Sequence, residues 1–322
     1  MTNPAAGALG TMSPGPVEAI PPAGIQGRGP WKLAWTRLRR DKVAVGSAAV
    51  LVAIVGLAVC APLVAHVVGH GPDTQFRDTG LSPAGIPVGP GRAFFFGTDD
   101  LGRDVFIRVI YGARISLLAG LVSAALAVVV GVVVGLAAGY FGGAVDSFLA
   151  RVMDVVLSLP YLVFAIALVS LLGPSLPISI AVIAFFSWAS VGRIVRGQVL
   201  AVKEKEFAEA ARSLGGSHLR IMFIDILPNV LAPTIVYATM LIPLSIVFEA
   251  TLSFLGIGVL PPTPTWGNML SESIPYYKVA WWFVAFPGLG LLVTTMAFNL
   301  LGDSVRDAFD PRASPLSVPT ED

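Results

Sequence analysis

Cysteine, histidine and charged residues are all scarce in this 322-residue sequence. Cys60 is the only cysteine, which excludes an intrachain disulfide. Three histidines are present, and the two that lie close together, His66 and His70, offer too few ligands to hold a metal ion. We therefore expect no metal site in this chain.

Charged residues make up 13% of the chain and hydrophobic residues 55%, and the mean hydropathy is +0.79. This composition lies outside the range of soluble domains. Because a helix needs about 20 apolar residues to cross a bilayer, the sequence predicts an all-α integral membrane protein with about six transmembrane helices. The expected spans are residues 43–65, 115–140, 155–172, 176–191, 230–255 and 279–301.

Motifs for an energy source or for ion conduction are missing from the sequence. The pattern G-x-x-x-x-G-K-[ST] does not occur, so we expect this chain to bind no nucleotide and to carry no catalytic residue. The spans lack the series of acidic and basic residues typical of ion-coupled carriers, and no channel filter is evident. Energy for transport would therefore have to come from another protein.

The basic residues predict the orientation. If both termini are cytoplasmic, 15 of the 21 Lys and Arg residues lie inside and 6 outside, which is the bias that the positive-inside rule requires. Residues 1–30, rich in Pro, Gly and Ala, are predicted to form a disordered cytoplasmic tail. The membrane domain would cover residues 31–312, followed by a C-terminal tail at 313–322. The inside set is Arg28, Lys32, Arg37, Arg39, Arg40, Lys42, Arg151, Arg193, Arg196, Lys203, Lys205, Arg212, Arg220, Arg306 and Arg312.

The polar loop at residues 201–228 would then face the cytoplasm. Residues 203–214 predict a short amphipathic helix, because four apolar residues recur at helical spacing. Gly215 would end this helix, and Ser217 is placed to cap a second one. Such a helix either docks on a soluble partner or is a solvated surface helix. The four apolar residues are Phe207, Ala210, Ala211 and Leu214, and Lys205, Glu209 and Arg212 lie on the polar side.

A four-residue glycine repeat runs through the second span, at Gly131, Gly135 and Gly139. These residues lie on one helical face, and in lipid such a face allows two helices to approach closely. The sequence predicts tight packing here, without indicating which helix is the neighbour.

Glu249 is the clear ionisable residue inside a predicted span. A charge at the bilayer centre costs about 2.5–3.5 kcal/mol on insertion scales, so this carboxyl group needs a cavity, a partner or water. Two interpretations stay open: Glu249 lines a transport pathway, or it is hydrogen-bonded near the outer surface.

Two segments are predicted to shape the outer side. The first can form a turn with internal Asp–Arg pairs, and it contains Thr98, Asp99, Gly102, Arg103 and Asp104. The second, Pro261-Pro262-Thr263-Pro264, cannot continue a helix, and it would hold Trp266 at the outer membrane interface. Each segment either braces the outer loops or contacts substrate.

Three stretches of the sequence together resemble one family. Glu209-Ala210-Ala211, then Gly215, then Leu227-Pro228 resembles the "EAA" loop of permease subunits of bacterial ABC importers, with one departure at Asp225, where the pattern usually has an apolar residue. Phe96-Gly97-Thr98-Asp99-Asp100-Leu101-Gly102-Arg103-Asp104 and Leu252-Ser253-Phe254-Leu255-Gly256-Ile257-Gly258 are similar to segments of the C-type permeases for dipeptides, oligopeptides and nickel.

This resemblance implies a fold, partners and a function. The fold would be the MetI-like fold of ABC importer permeases, and the 201–228 loop would be the coupling helix region. The implied partners are a B-type permease, two ATP-binding subunits and an extracytoplasmic substrate-binding protein, with lipid around the spans and no nucleic acid. ATP and Mg would bind in the partner subunits, and this chain would not be an enzyme. Peptides are the implied substrate; nickel or another small solute, and a membrane scaffold without transport, are the alternatives.

Overall fold

The computed structural model describes residues 30–310, and regular structure within this range is helical apart from two isolated bridges. The all-α prediction is confirmed for this part of the chain. The tails predicted at residues 1–30 and 313–322 lie outside the described residues, except for Pro30, where the first helix begins.

Thirteen α-helices follow one another in the described residues, with one π-helical segment at Ile221–Ile226 and one 3-10 turn at Ile274–Tyr276. The helices are α1 (Pro30–Arg40), α2 (Lys42–Val59), α3 (Ala61–Val68), α4 (Arg77–Gly80), α5 (Val105–Phe141), α6 (Gly143–Ser158), α7 (Tyr161–Leu172), α8 (Leu176–Val202), α9 (Glu206–Ser213), α10 (His218–Arg220), α11 (Leu227–Phe254), α12 (Trp266–Ser273) and α13 (Trp281–Phe309).

Within residues 30–310, five helical segments are long and apolar enough to cross a membrane. They are α2, α5, α8, the continuous run from α10 through α11, and α13. A sixth crossing exists only if α6 and α7 count together, and these two helices meet at an angle of 88°. The predicted number of six spans is therefore reached only if the bent α6–α7 pair counts as one span.

The break in the third span differs from the single helix predicted at residues 155–172. Proline disfavours helical backbone in the residue before it and donates no hydrogen bond. Leu159 accordingly adopts ψ 130°, and Pro160 adopts ψ 107°, so α6 ends at Ser158 and α7 begins at Tyr161. The apolar run alone did not reveal that α6 begins as early as Gly143.

The second span begins at Val105, not at residue 115 as predicted. Arg108 lowers the hydropathy of its first turns, so a sequence window excludes them. In the structure Arg108 is fully buried, and its Nε lies 3.3 Å from Asp99 Oδ2. The ion pair makes an apolar setting tolerable for the guanidinium group, and the helix extends past it.

The fourth span is also longer than predicted, because α8 continues from residue 191 to Val202. Arg193 and Arg196 lie in this last section, and because arginine is polar, the span predicted from hydropathy stops before them. Both pair with acidic residues of α6, which compensates their charge. The pairs are Arg193–Asp154 and Arg196–Asp146.

The glycine repeat of α5 packs against α8. A Cβ added at Gly131 would lie 2.5 Å from the Cβ of Val191, and one at Gly135 would lie 2.6 Å from the Gly192 carbonyl oxygen. At Gly139 it would lie 2.7 Å from the Cβ of Val199. The predicted close packing is present, and α8 is the neighbour that the sequence did not identify.

We predict that Gly135→Val destabilises the protein, because the added methyl groups collide with the α8 backbone. Overpacking of this kind typically costs about 1–3 kcal/mol. The measurement is the thermal unfolding midpoint of the purified protein in detergent. Gly197→Val is the matched control, because a Cβ at Gly197 meets nothing within 4 Å. Equal midpoints for the two variants would contradict close α5–α8 packing.

Candidate functional site

The loop between α8 and α11 folds into a short helix, a turn and a second short helix. The helix predicted at residues 203–214 begins later in the structure, because α9 spans Glu206–Ser213 and the residues just before it form a turn. Gly215 adopts φ +76°, a conformation that favours glycine. The Ser217 hydroxyl accepts a hydrogen bond from the Arg220 backbone N–H at 3.4 Å, which confirms the predicted cap.

The apolar side chains of this loop are mostly on its outside. Ala208 is fully buried and Ala211 is half-buried against the core, whereas the Leu214 side chain is 88% exposed. We call the exposed apolar residues of this loop the coupling surface. These residues are Phe207, Ala210, Leu214, Leu219, Phe223 and Ile224.

The three charged residues predicted on the polar side of α9, Lys205, Glu209 and Arg212, form no ion pairs with one another in the described residues. Glu209 is exposed, and none of the ion pairs within residues 30–310 involves it. Arg212 instead donates a hydrogen bond to the Lys203 carbonyl oxygen at 3.1 Å, and its guanidinium group lies 5.9 Å from the centre of the Tyr140 ring. Glu209 therefore keeps its carboxylate available on the loop exterior.

Two side-chain contacts join the loop to the end of α5. The Tyr140 hydroxyl group lies 2.9 Å from Nδ1 of His218, and Lys203 Nζ donates to the Gly139 carbonyl oxygen at 2.9 Å. A cavity of about 430 Å³ lies between the loop and α5 at this point. No local pattern marks Tyr140 and His218 as partners, because they are 78 residues apart in the chain.

At the opposite end of α5, four charged side chains form what we call the outer cluster: Asp99, Arg103, Arg108 and Glu272. Arg103 Nε lies 2.6 Å from Asp99 Oδ2, as the predicted Asp–Arg turn required. Arg103 and Arg108 also contact Glu272 Oε2, at 3.1 Å and 3.4 Å. The cluster therefore ties the loop before α5 to α12, two segments that are distant in sequence.

The carboxyl groups of Asp99, Asp100 and Glu272 lie close to one another as well as to arginine side chains. Burial raises the pKa of Asp100, and the charge of Asp99 raises it further. Burial also raises the pKa of Glu272, against the opposing effect of Arg108 and Arg103. Asp99, Asp100 and Glu272 lie close enough to ligate one metal ion. The two guanidinium groups already compensate their charge, so the donor set fits an ion-pair cluster better than a cation site.

The remaining outer residues predicted from sequence brace the same loop. Thr98 donates to the Gly80 carbonyl oxygen at 2.5 Å and accepts from the Val88 backbone N–H at 2.8 Å. Asp104 caps α5 by accepting from the Phe106 N–H at 2.9 Å, and Gly102 adopts φ +74° in the turn. Asp104 also lies 2.6 Å from Nδ1 of His70, a partner that the sequence did not indicate. These contacts favour bracing over direct substrate contact.

The prediction that Trp266 lies at the membrane interface is wrong. Trp266 is 1% exposed, and its indole N–H donates to the Val109 carbonyl oxygen at 3.1 Å. Gly112 and Gly290 leave room for the ring, since a Cβ at either would lie 3.3 Å and 3.0 Å from it, respectively. The proline-rich loop therefore directs this tryptophan inward, where it packs between α5 and α13.

Glu249 is fully buried near the C-terminal end of α11. Its Oε1 atom accepts a hydrogen bond from the Ser253 hydroxyl at 2.7 Å, and Ser253 in turn accepts from the Val259 backbone N–H at 3.1 Å. Through Oε1 the carboxyl group holds the loop after α11, as the second interpretation requires, whereas Oε2 is buried without a hydrogen-bond partner within the described residues.

We predict that Arg108→Gln strongly destabilises the outer side, because it leaves the buried Asp99 with one fewer compensating charge. Breaking a buried pair in this way typically costs about 3–5 kcal/mol. Arg92→Gln is the control, since Arg92 is exposed in the same outer region. The thermal midpoint of the purified protein should fall for Arg108→Gln alone. A midpoint equal to that of the control would show that the outer cluster does not stabilise the fold.

Comparison with known proteins identifies two matching families. Residues 131–315 match the family described as the binding-protein-dependent transport system inner membrane component. Residues 29–83 match the N-terminal TM domain of oligopeptide transport permease C.

Individual relatives agree over most of the chain. The chain is 38% identical to the dipeptide transport system permease protein DppC of Alkalihalophilus pseudofirmus, covering 94% of this chain and 96% of that protein. It is 41% identical to the di/tripeptide permease DppC of Pseudomonas aeruginosa, covering 88% and 92%. The glutathione transport permease GsiD of Escherichia coli is 40% identical, covering 89% and 92%.

A solved structure shows the same fold. One chain of the inward-facing MetNI methionine ABC transporter superposes with a TM-score of 0.53 at 16% identity, covering 62% of this chain and 96% of that chain. The MetI-like fold predicted from sequence is thereby confirmed. The coupling loop, the C-type segments and the matched residues lead to one assignment: this chain belongs to the family of binding-protein-dependent transport system inner membrane components, the multi-pass permeases of ABC importers.

Proposed function

We propose that this chain is one of two transmembrane subunits of an ATP-driven importer that brings peptides into the cell. The observation that carries the proposal is the coupling surface, whose apolar side chains are exposed on a polar loop between membrane helices. Leu214 and Leu219 are 88% and 67% exposed. A hydrophobic patch of this kind on a loop facing water marks a protein interface.

The partner that fits the coupling surface is an ATP-binding subunit. Energy must come from outside this chain, and family membership implies a separate ATPase. ATP and Mg would bind there, so this chain would have no enzymatic activity of its own. The free carboxylate of Glu209 and the turn at Gly215 would shape the contact, while Ala208 and Ala211 hold α9 against the membrane domain.

The contacts of α5 suggest how movement of the loop reaches the membrane domain. The Tyr140–His218 and Lys203–Gly139 contacts attach the coupling loop to the inner end of α5, and the outer cluster attaches to its other end. In the proposed cycle, closure of the ATP-binding subunits displaces the loop, and α5 with α8 moves as one rigid pair. A B-type permease would complete the pathway, and an extracytoplasmic binding protein would deliver the substrate.

Peptides are the proposed substrate because the relatives are named for dipeptides, di/tripeptides and glutathione, itself a small peptide. Nothing in residues 30–310 favours the nickel alternative, since the carboxyl groups that lie close enough to ligate a metal are those paired with arginines in and beside the outer cluster. A scaffold without transport would not need a coupling surface attached to a spanning helix.

We predict that Leu214→Glu releases the ATP-binding subunits, because it places a charge in the apolar contact. The substituted side chain is exposed, so the fold of this chain should be unaffected. Ser213→Glu is the matched control, with the same added charge on a neighbouring exposed residue. Co-purification of the ATP-binding subunits should fall several-fold for Leu214→Glu only. Retention of these subunits and normal uptake would remove the main support for the proposal.

A labelling experiment tests the orientation, with both termini in the cytoplasm. Cysteine at Ser217 should be protected from a membrane-impermeant thiol reagent in intact cells, and cysteine at Thr263 should be labelled. Both positions are exposed in the structure. Cys60→Ala provides the background, because Cys60 is itself exposed. The opposite labelling pattern would invert the topology and place the coupling surface on the wrong side.

A further inference from the structure

A second cavity, of about 170 Å³, lies among the third, fourth and fifth spans. Four of its lining residues carry hydroxyl groups: Tyr161 of α7, Ser187 and Ser190 of α8, and Tyr237 of α11. Aromatic and aliphatic side chains line the rest, and none of the lining residues is charged. The lining thus combines hydrogen-bonding groups with apolar walls, a combination typical of ligand sites.

The four hydroxyl groups have no protein partners. Within residues 30–310, no hydrogen bond is made by any of them, and the Tyr161 hydroxyl oxygen is buried. Hydroxyl groups inside spans normally bond the carbonyl group one turn earlier, as Thr234 does to Val230 at 2.7 Å. Of the four, the Tyr161 hydroxyl group is the one that is buried as well as unpartnered, and this costs free energy in an apolar setting. The other three are free to bond a ligand in the cavity.

The position of the cavity also favours a transport role. Ser187 and Ser190 lie near the midpoint of α8, and Tyr237 lies in the middle part of α11. The cavity adjoins the break between α6 and α7, where the backbone bends by 88°. Non-helical backbone at membrane depth is tolerated where it is buried in protein or lines a water-filled cavity, and transporters use such breaks at their substrate sites.

The aromatic side chains fix the position of the Tyr161 hydroxyl group. The Tyr161 ring stacks on Phe248 with ring centres 4.1 Å apart, and it meets Phe186 edge-on at 5.3 Å. The ring is therefore held between α8 and α11, with little freedom to turn its hydroxyl group toward another protein acceptor.

We propose that this cavity is a contact point for the backbone amide groups of the peptide during its passage, which rests on the proposed importer function. Hydroxyl groups both donate and accept hydrogen bonds, so they match the N–H and C=O groups that every peptide carries whatever its side chains. The neutral lining avoids tight binding of any one charged side chain. The cavity is smaller than the about 300–1,000 Å³ of a site that encloses a drug-sized ligand, so it contacts one residue at a time.

The test removes three of the four hydroxyl groups and keeps the shape of the cavity nearly unchanged. The variant combines Tyr161→Phe, Ser187→Ala and Tyr237→Phe in the complete importer, reconstituted in proteoliposomes with its binding protein and radiolabelled dialanine. The readouts are dialanine taken up per ATP hydrolysed and stimulation of ATP hydrolysis by the loaded binding protein. We expect uptake per ATP to fall about five- to tenfold, with stimulation retained, because docking and coupling lie elsewhere.

Two controls separate the possible outcomes. Ser179→Ala removes a buried hydroxyl group without a partner from α8, the helix that also carries Ser187, but away from the cavity. It should leave uptake per ATP unchanged. Normal uptake per ATP in the triple variant overturns the proposed contact point while the importer function stands. An unmodified complex whose ATP hydrolysis is stimulated but which takes up no dialanine overturns the peptide function, and the contact point with it.

A second measurement decides the case if the triple variant fails to assemble. Ser190→Cys in the Cys60→Ala background places one thiol in the cavity. Dialanine supplied during ATP hydrolysis should slow its reaction with a thiol reagent several-fold, and cysteine at Ser170, which is exposed on α7 and does not line the cavity, should show no such protection. A reaction rate that does not depend on dialanine overturns the proposal.

Discussion

The close contact between α5 and α8 is the constraint on which the rest of this structure depends. Three glycines remove the side chains that would separate the two helices, so backbone and valine side chains of α8 lie directly against α5. The pair then acts as one rigid unit that reaches from the outer cluster to the coupling loop. Without side chains of α5 between the two backbones at these positions, little relative movement of α5 and α8 is possible.

Charge compensation explains what sequence reasoning could predict about the spans and what it could not. The number of apolar runs, the glycine face and the coupling loop all follow from periodicity and composition. The ends of α5 and α8 do not, because hydropathy treats every arginine as exposed to water. Arg108 and Arg196 are instead paired with carboxylates from other segments. Such pairing depends on residues far away in sequence, so a window along the chain cannot detect it.

The functional residues also divide into those that a local sequence pattern marks and those that only tertiary packing brings together. The Asp99–Arg103 turn and the cap at Ser217 are local, and the sequence indicated both. Glu272 and His70 join the outer loop only through tertiary packing, and no local pattern marks them. Trp266 shows the opposite error: a tryptophan beside a proline-rich loop is typical of the membrane interface, yet two glycines on other helices provide a buried site. An interpretation from local context fails where a distant small residue creates the space.

Polar groups within the membrane domain therefore fall into two classes with different meanings. Glu249 Oε1 accepts from the Ser253 hydroxyl group, which accepts from the loop backbone, so these two atoms act as structural elements although Glu249 Oε2 has no partner within the described residues. The hydroxyl groups around the break between α6 and α7 have no such partners. A buried polar group that stabilises the fold is satisfied by that fold. The buried hydroxyl groups of Tyr161 and Ser179 both lack a partner within the described residues, but only that of Tyr161 lines a cavity beside the bent α6–α7 pair. Its position, together with the missing partner, is explained by a ligand that is present only during transport.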